Sequence, residues 1–209
     1  MAYTERFDEA LTFASKLHRT QTRKGKDVPY ITHLLAVASL VGTNGGDEDQ
    51  VIAALLHDAI EDCVADVPDV AHRIEERFGS RVLHIVESCS DTLEPKKDDQ
   101  DEEDWKVRKQ TYLIHLRELP DDSPVLLVSL ADKVHNARSI VADLHKVGDE
   151  LWERFNAGRT DSLWYYSSLA EIFAEKHPGY LATGLQSLVE SMKESVADPK
   201  PAPEAPTPA

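Results

Sequence analysis

Four side chains of this chain have types and spacing that suit one metal ion: His33, the adjacent pair His57-Asp58, and Asp132. Two imidazoles and two carboxylates fit a borderline or hard divalent cation such as Mn, Fe, Zn or Co, and an ion held this way activates water at neutral pH. The His-Asp dipeptide alone is common, so its surroundings carry the argument. Glu61 and Asp62 follow His57 and Asp58 by four residues each, which on a helix places both carboxylates about one turn beyond the candidate ligands. Asn136 repeats that step after Asp132. Both groups directly follow apolar stretches, residues 51–56 and 125–130, where polar side chains are costly to bury unless something binds them. Metal coordination supplies that compensation, and the pattern points to a metal-dependent hydrolase.

Helices must position these residues. Phe7, Ala10, Leu11, Ala14 and Leu17 recur at helical spacing, and a second apolar set spans 34–41 with Thr32 as its expected N-cap, so helices should flank a loop over 20–30. Glycines at 42, 45 and 46 break the pattern. Asp47 then caps a helix whose buried side takes Val51, Ala54, Leu55 and Ile60 and which carries His57-Asp58. Ile74 and Phe78 mark a short helix ending near Gly79, and 82–86 begin another. Tyr112, Leu113, Leu116 and Leu119 define the next, and Ser123-Pro124 starts a helix to Val147 that bears Asp132 and Asn136. The stretches 163–173 and 181–192 supply the last two patterns. Period-two alternation and internal repeats are absent from the sequence, so the expected fold is all-α, a helical bundle around a single metal site.

At 209 residues, 41% of them hydrophobic, the chain suits one domain, expected over 1–195. The Pro/Ala-rich stretch 196–209 has little to bury and should be a disordered tail. Residues 92–104 are almost devoid of apolar side chains and suggest a mobile connection. A formal charge of −15 excludes general nucleic-acid binding, which needs a basic surface. A small anionic substrate remains compatible if basic residues gather at a pocket mouth. No apolar run reaches the length of a membrane span, the N-terminus lacks signal-peptide features, and Cys63 and Cys89 have neither zinc-site nor disulfide-framework spacing. A cytoplasmic protein with no membrane partner is expected, and nothing in the sequence sets an oligomeric state.

The separated His, His-Asp and Asp residues resemble the ligand pattern of HD-domain phosphohydrolases. More closely, His18, Arg23-Lys24, the run from Pro29 to His33, the run from Ala53 to Asp62, Phe78-Gly79 and the run from Leu130 to Arg138 resemble, in the same order, the hydrolase half of RelA/SpoT proteins. The length is similar to that of stand-alone small alarmone hydrolases. The resemblance implies Mn-dependent removal of the 3′-pyrophosphate from guanosine tetra- or pentaphosphate, giving GDP or GTP and pyrophosphate. It implies His33, His57, Asp58 and Asp132 as metal ligands, Glu61 and Asp62 as the catalytic acidic pair, Asn136 as a substrate contact, Arg23 and Lys24 near the base, and Tyr165 in the pocket. The Mn assignment rests on the family, since affinity order alone favours Zn.

From charge alone, Lys97, Lys106, Arg108 and Arg159 are candidates for the remaining phosphates. His135 suits an orienting or structural role, and Cys63 a buried filler. Two departures from the family pattern, a short loop over 24–29 and Leu34 where many relatives carry proline, fall at the base-recognising edge. Adenosine alarmones, the 2′-phosphate of NADPH and simple nucleotides are the alternative substrates, and a non-catalytic nucleotide-binding module is the alternative class.

Overall fold

The computed structural model describes residues 2–90 and 102–194. Its helices, in chain order, are α1 (Glu5–Leu17), α2 (Ile31–Thr43), α3 (Glu48–Leu56), α4 (Ala59–Cys63), α5 (Val70–Phe78), α6 (Ser80–Cys89), α7 (Glu102–Glu118), α8 (Pro124–Val147), a 3-10 helix (Gly148–Arg154), α9 (Gly158–Lys176) and α10 (Tyr180–Glu194). Among the described residues the one extended pairing is an isolated antiparallel bridge between Thr22 and Pro29. The all-α architecture expected from the sequence is the one observed.

Two helices form the centre because each contains a stretch that is buried on every side. Every residue from Val51 to Leu56 in α3 is buried, as is every residue from Val125 to Asp132 in α8. A helix apolar all round is stable only when surrounded by others. α1, α2, α6 and α8 pack around α3, while α10 and the 3-10 helix cover further parts of α8. α2 contributes Leu34, Val37, Ala38 and Val41, spaced as one helical face. A single cluster of buried apolar side chains extends from Ala10 to Met192.

The two central helices start in register. Asp47 accepts from the Gln50 N–H at 3.0 Å, and the Gln50 Oε1 accepts from the Asp47 N–H at 3.1 Å, closing a capping box. The same Gln50 side chain donates through Nε2 to the Pro124 carbonyl at 3.0 Å, where Ser123 caps α8. From that crosslink the chain climbs seven residues to His57 and eight to Asp132. At 1.5 Å per residue each lies about 10–12 Å from the crosslink along its own path. Gly46 makes the preceding reversal possible, because a Cβ there would lie 2.9 Å from the Val41 carbonyl oxygen.

Two expectations need correction. Thr32 does not cap α2: the helical turn begins earlier, Tyr30 occupies the cap position, and the Thr32 hydroxyl donates back to the Pro29 carbonyl at 2.8 Å. Nor does one helix carry His57-Asp58. The α3 helix ends at Leu56 and α4 restarts at Ala59, with Asp58 at φ −95° and ψ −1° between them. On a continuous helix neighbouring side chains diverge by about 100°, so this break lets His57 and Asp58 face the same point. The expected tail 196–209 and most of the segment 92–104 lie outside the described residues.

Candidate metal centre and adjoining cavity

His33 projects from the first turn of α2, His57 and Asp58 from the α3–α4 break, and Asp132 from the third turn of α8. Ligating atoms of His33, His57 and Asp58 lie within 4.8 Å of one another. Asp132 Oδ1 is 3.2 Å from His33 Nε2 and 3.6 Å from His57 Nε2, while Asp58 Oδ2 is 3.5 Å and 3.0 Å from the same two nitrogens. His57 Nδ1 is 2.9 Å from the Ala54 carbonyl and donates to it. That bond fixes the tautomer and turns the Nε2 lone pair into the cluster, where Nε2 is buried without a hydrogen-bond partner. A buried lone pair aimed at two carboxylates and a second imidazole fits a divalent cation.

The electrostatics agree. Burial opposes charge on His57, yet Asp58 and Asp132 push its basicity well above that of an ordinary imidazole. Burial likewise opposes ionisation of Asp58, and His57 and His33 outweigh it; for Asp132, Lys133 followed by the two histidines does the same, so both carboxyls stay well below their usual range. Two ionised carboxylates thus face both imidazoles and draw positive charge to this point, which a bound cation supplies as well as a protonated histidine does.

Each of these side chains is braced by a neighbour. The Tyr30 hydroxyl donates to Asp58 Oδ2 at 2.6 Å, and burial followed by the Asp58 charge raises its pKa, keeping it a donor. Lys133 Nζ donates to Asp132 Oδ2 at 2.7 Å and Asn136 Nδ2 to Asp132 Oδ1 at 2.6 Å. The Nδ1 atoms of His33 and His135 are 2.7 Å apart. With Nε2 of His33 facing the cluster, its Nδ1 carries the proton and donates to His135. Burial, and then His33, push His135 down to about 4, so it is neutral and accepts. Such outer contacts orient ligands and tune their basicity.

A second chain of hydrogen bonds reaches Asp62 on α4. Gln21 donates through Nε2 to Asp62 Oδ2 at 2.8 Å, which leaves its Oε1 toward His18, whose Nδ1 lies 2.6 Å away and must donate. His18 stacks on Tyr30 at 5.2 Å between ring centroids, linking the two systems.

Beside the cluster opens a cavity of about 410 Å³, bounded at this end by Tyr30, Asp62 and Asn136. Arg23, Lys24, Lys26 and Arg154 gather on its walls. Arg23 Nη2 donates to Asn136 Oδ1 at 2.6 Å, and its guanidinium lies 5.5 Å from the Tyr30 ring centroid. A site of this volume, lined mostly by polar side chains and carrying four cations, suits a phosphorylated small molecule.

Residues 10–163 match the HD domain family profile. The chain belongs to the HD domain family. Among curated relatives, the bifunctional (p)ppGpp synthase/hydrolase SpoT of Escherichia coli is 34% identical over 136 residues, 65% of this chain and 18% of that protein. This chain thus spans less than a fifth of the long bacterial relatives. A guanosine-3′,5′-bis(diphosphate) 3′-pyrophosphohydrolase of Xenopus tropicalis is 36% identical over 149 residues, 69% of this chain and 72% of its own. A solved structure described as a metazoan ortholog of SpoT that hydrolyzes ppGpp superposes with a TM-score of 0.70 at 22% identity, covering 94% of this chain and 99% of the other.

Within this HD domain the residues singled out from sequence divide clearly. Arg23, Lys24, Asp62 and Asn136 line the cavity. Glu61 shares α4 with Asp62 but does not line it. Arg108 on α7 and Arg159 in the first turn of α9 also stand away from it. Tyr165 is buried against Trp105, with ring centroids 6.0 Å apart and no hydrogen-bond partner for its hydroxyl. One residue further round α9, Tyr166 faces the cavity instead. Lys106 pairs with Asp161 at 2.8 Å, and Lys97 lies outside the described residues. Sequence reasoning missed Gln21, Lys26, Arg154 and Tyr166. Gln21 stands two residues before Arg23 and was within reach of the motif; Arg154 carries no sequence signal. Cys63 and Cys89 are buried and unpaired. Among the described residues no helix is long and apolar enough to cross a membrane.

Proposed function

We propose that this HD-domain protein is a Mn-dependent 3′-pyrophosphohydrolase of guanosine 3′,5′-bis(diphosphate) and its pentaphosphate, acting in the cytoplasm. The observation that carries this reading is the His33, His57, Asp58 and Asp132 cluster, joined through Tyr30 and Asn136 to the wall of a cavity that gathers four cationic side chains. The likeness to the Xenopus tropicalis and Escherichia coli proteins named for this activity supports the choice of substrate.

In this reading the four clustered residues hold the ion, which when bound lowers the pKa of water and neutralises phosphoryl charge. The protein's own groups do the rest. Asp62, aimed by Gln21, accepts a proton from the attacking water, with Glu61 beside it on α4. Water oxygen bonds to phosphorus, the bond from phosphorus to the 3′-oxygen breaks, and pyrophosphate departs while the 3′-oxygen takes up a proton. Asn136, fixed between Asp132 and Arg23, contacts the substrate beside the reacting phosphate. Lys24 and Arg154 neutralise the remaining phosphates.

Anion-exchange analysis of products from guanosine 3′,5′-bis(diphosphate), using metal-stripped protein with and without Mn, tests the proposal. GDP and pyrophosphate released only with Mn are expected. Parallel arms with adenosine 3′,5′-bis(diphosphate), NADPH and GTP decide the substrate class. Turnover confined to one of these would replace the guanosine assignment, and an intact metal site with no turnover of any would overturn catalysis.

A further inference from the structure

α8 carries more than the metal end of the cavity. Asp132, Asn136, Ser139 and Asp143 follow at steps of four, three and four residues, so they fall on one line along the helix. The last three line the cavity. Asp143 stands three turns, about 16 Å, beyond Asp132, a separation that suits a reacting 3′-phosphate at one end and the base of the same nucleotide at the other.

The chemistry at that far end is unusual for a site that takes a polyanion. Asp143 is a buried carboxylate, 8% exposed, at the opposite end of the cavity from Asp62, with Arg23, Lys24, Lys26 and Arg154 also on the walls. Lys26, from the loop between α1 and α2, donates to its Oδ2 at 2.7 Å. A phosphate cannot approach Asp143 without repulsion, so this end calls for a neutral group that donates hydrogen bonds. Ile140, Leu151 and Phe155 add apolar wall to the cavity, as the faces of a planar ring require.

We propose that Asp143 and Lys26 select the base and make the cavity specific for guanine. The edge of guanine offers N1–H and the 2-amino group side by side, two donors that a carboxylate accepts together, with the O6 acceptor adjacent for the ammonium of Lys26. Adenine offers the reverse: its N1 is a lone pair facing the carboxylate, and its 6-amino group faces the lysine. Binding adenine would leave a buried carboxylate opposed by an acceptor, the kind of mismatch that polar sites reject most strongly. The inference rests on the nucleotide reading of the site and assigns its base.

Calorimetric titration of the full chain with guanosine, inosine and adenosine 3′,5′-bis(diphosphate), in chelator so that nothing is turned over, tests the assignment apart from catalysis. The guanosine ligand should bind at least tenfold tighter than the adenosine ligand, with inosine, which lacks the 2-amino group, between them. Asp143→Asn, nearly isosteric, should remove that preference. No guanosine preference in the unmodified protein, or equal weakening of all three ligands by Asp143→Asn, would overturn it and leave Asp143 as a staple between the loop and α8. A preference that is present and lost in Asp143→Asn, without Mn-dependent pyrophosphate release, would uphold base selection and remove only the hydrolytic function.

Discussion

Asp62 is aimed by a side chain from outside its own helix, and that dependence has a measurable signature. Gln21→Ala should lower kcat about tenfold or more while Mn affinity stays unchanged, because Gln21 touches Asp62 and no candidate ligand. The double variant Gln21→Ala with Asp62→Asn should lose little beyond Asp62→Asn alone; steady-state rates that multiply instead would show Gln21 acting elsewhere. The cluster and the acidic pair should separate cleanly in a metal-binding assay. His57→Ala or Asp58→Ala should abolish both Mn binding and activity, whereas Glu61→Gln or Asp62→Asn should keep Mn and lose rate. Loss of Mn in the acidic-pair variants would reverse the roles proposed for them. The four clustered residues were legible in the sequence because their types are chemically restricted. Lys26, Asp143 and Arg154 were not, since ordinary charged residues acquire a role only where a loop, a helix end and α8 converge.

At the scale of elements, the capping box of α3 joins local and tertiary structure. Asp47 also pairs with Arg81 of α6 at 2.7 Å. Asp47→Ala should destabilise the fold by about 1 kcal/mol in denaturant unfolding, the usual worth of such a cap. The Arg81 hydrogen bonds, working against partial burial and helped by Gln50, hold the Asp47 carboxyl below its ordinary 3.8. A depressed carboxylate contributes stability that is complete above the unfolded pKa and disappears as pH falls through the folded one. The stability gap between wild type and Asp47→Ala should therefore start to narrow as pH falls below about 4 and go on narrowing through the lower folded pKa, and a gap undiminished across that range would refute the linkage. Helix order was legible from apolar spacing, and so was the start of α8 at Ser123-Pro124. The break at His57-Asp58 was hidden because apolar residues continue through Ala59 and Ile60 in unbroken helical rhythm.

For the molecule as a whole, the metal would tie α2, the α3–α4 junction and α8 together. An ion bound only by the folded state adds about 2.7 kcal/mol at a hundredfold excess over its Kd. Mn should accordingly raise Tm by about 5–10 °C in this size class, and His57→Ala should erase the increment. An unchanged Tm in wild type would count against the cluster as the Mn site. The overall class was legible because no stretch alternates at period two, but the net charge of −15 concealed four cations around one cavity. The bond from Gln50 to Pro124 has a last consequence, for how this chain can change through time. Measured from that crosslink, the seven residues to His57 and the eight to Asp132 act as two rulers cut to matching length. Inserting or deleting one residue in either would swing its metal-facing side chain by about 100° and shift it about 1.5 Å. Substitutions can accumulate along both stretches, but their lengths cannot drift, and variation in length must be confined to the loops beyond them.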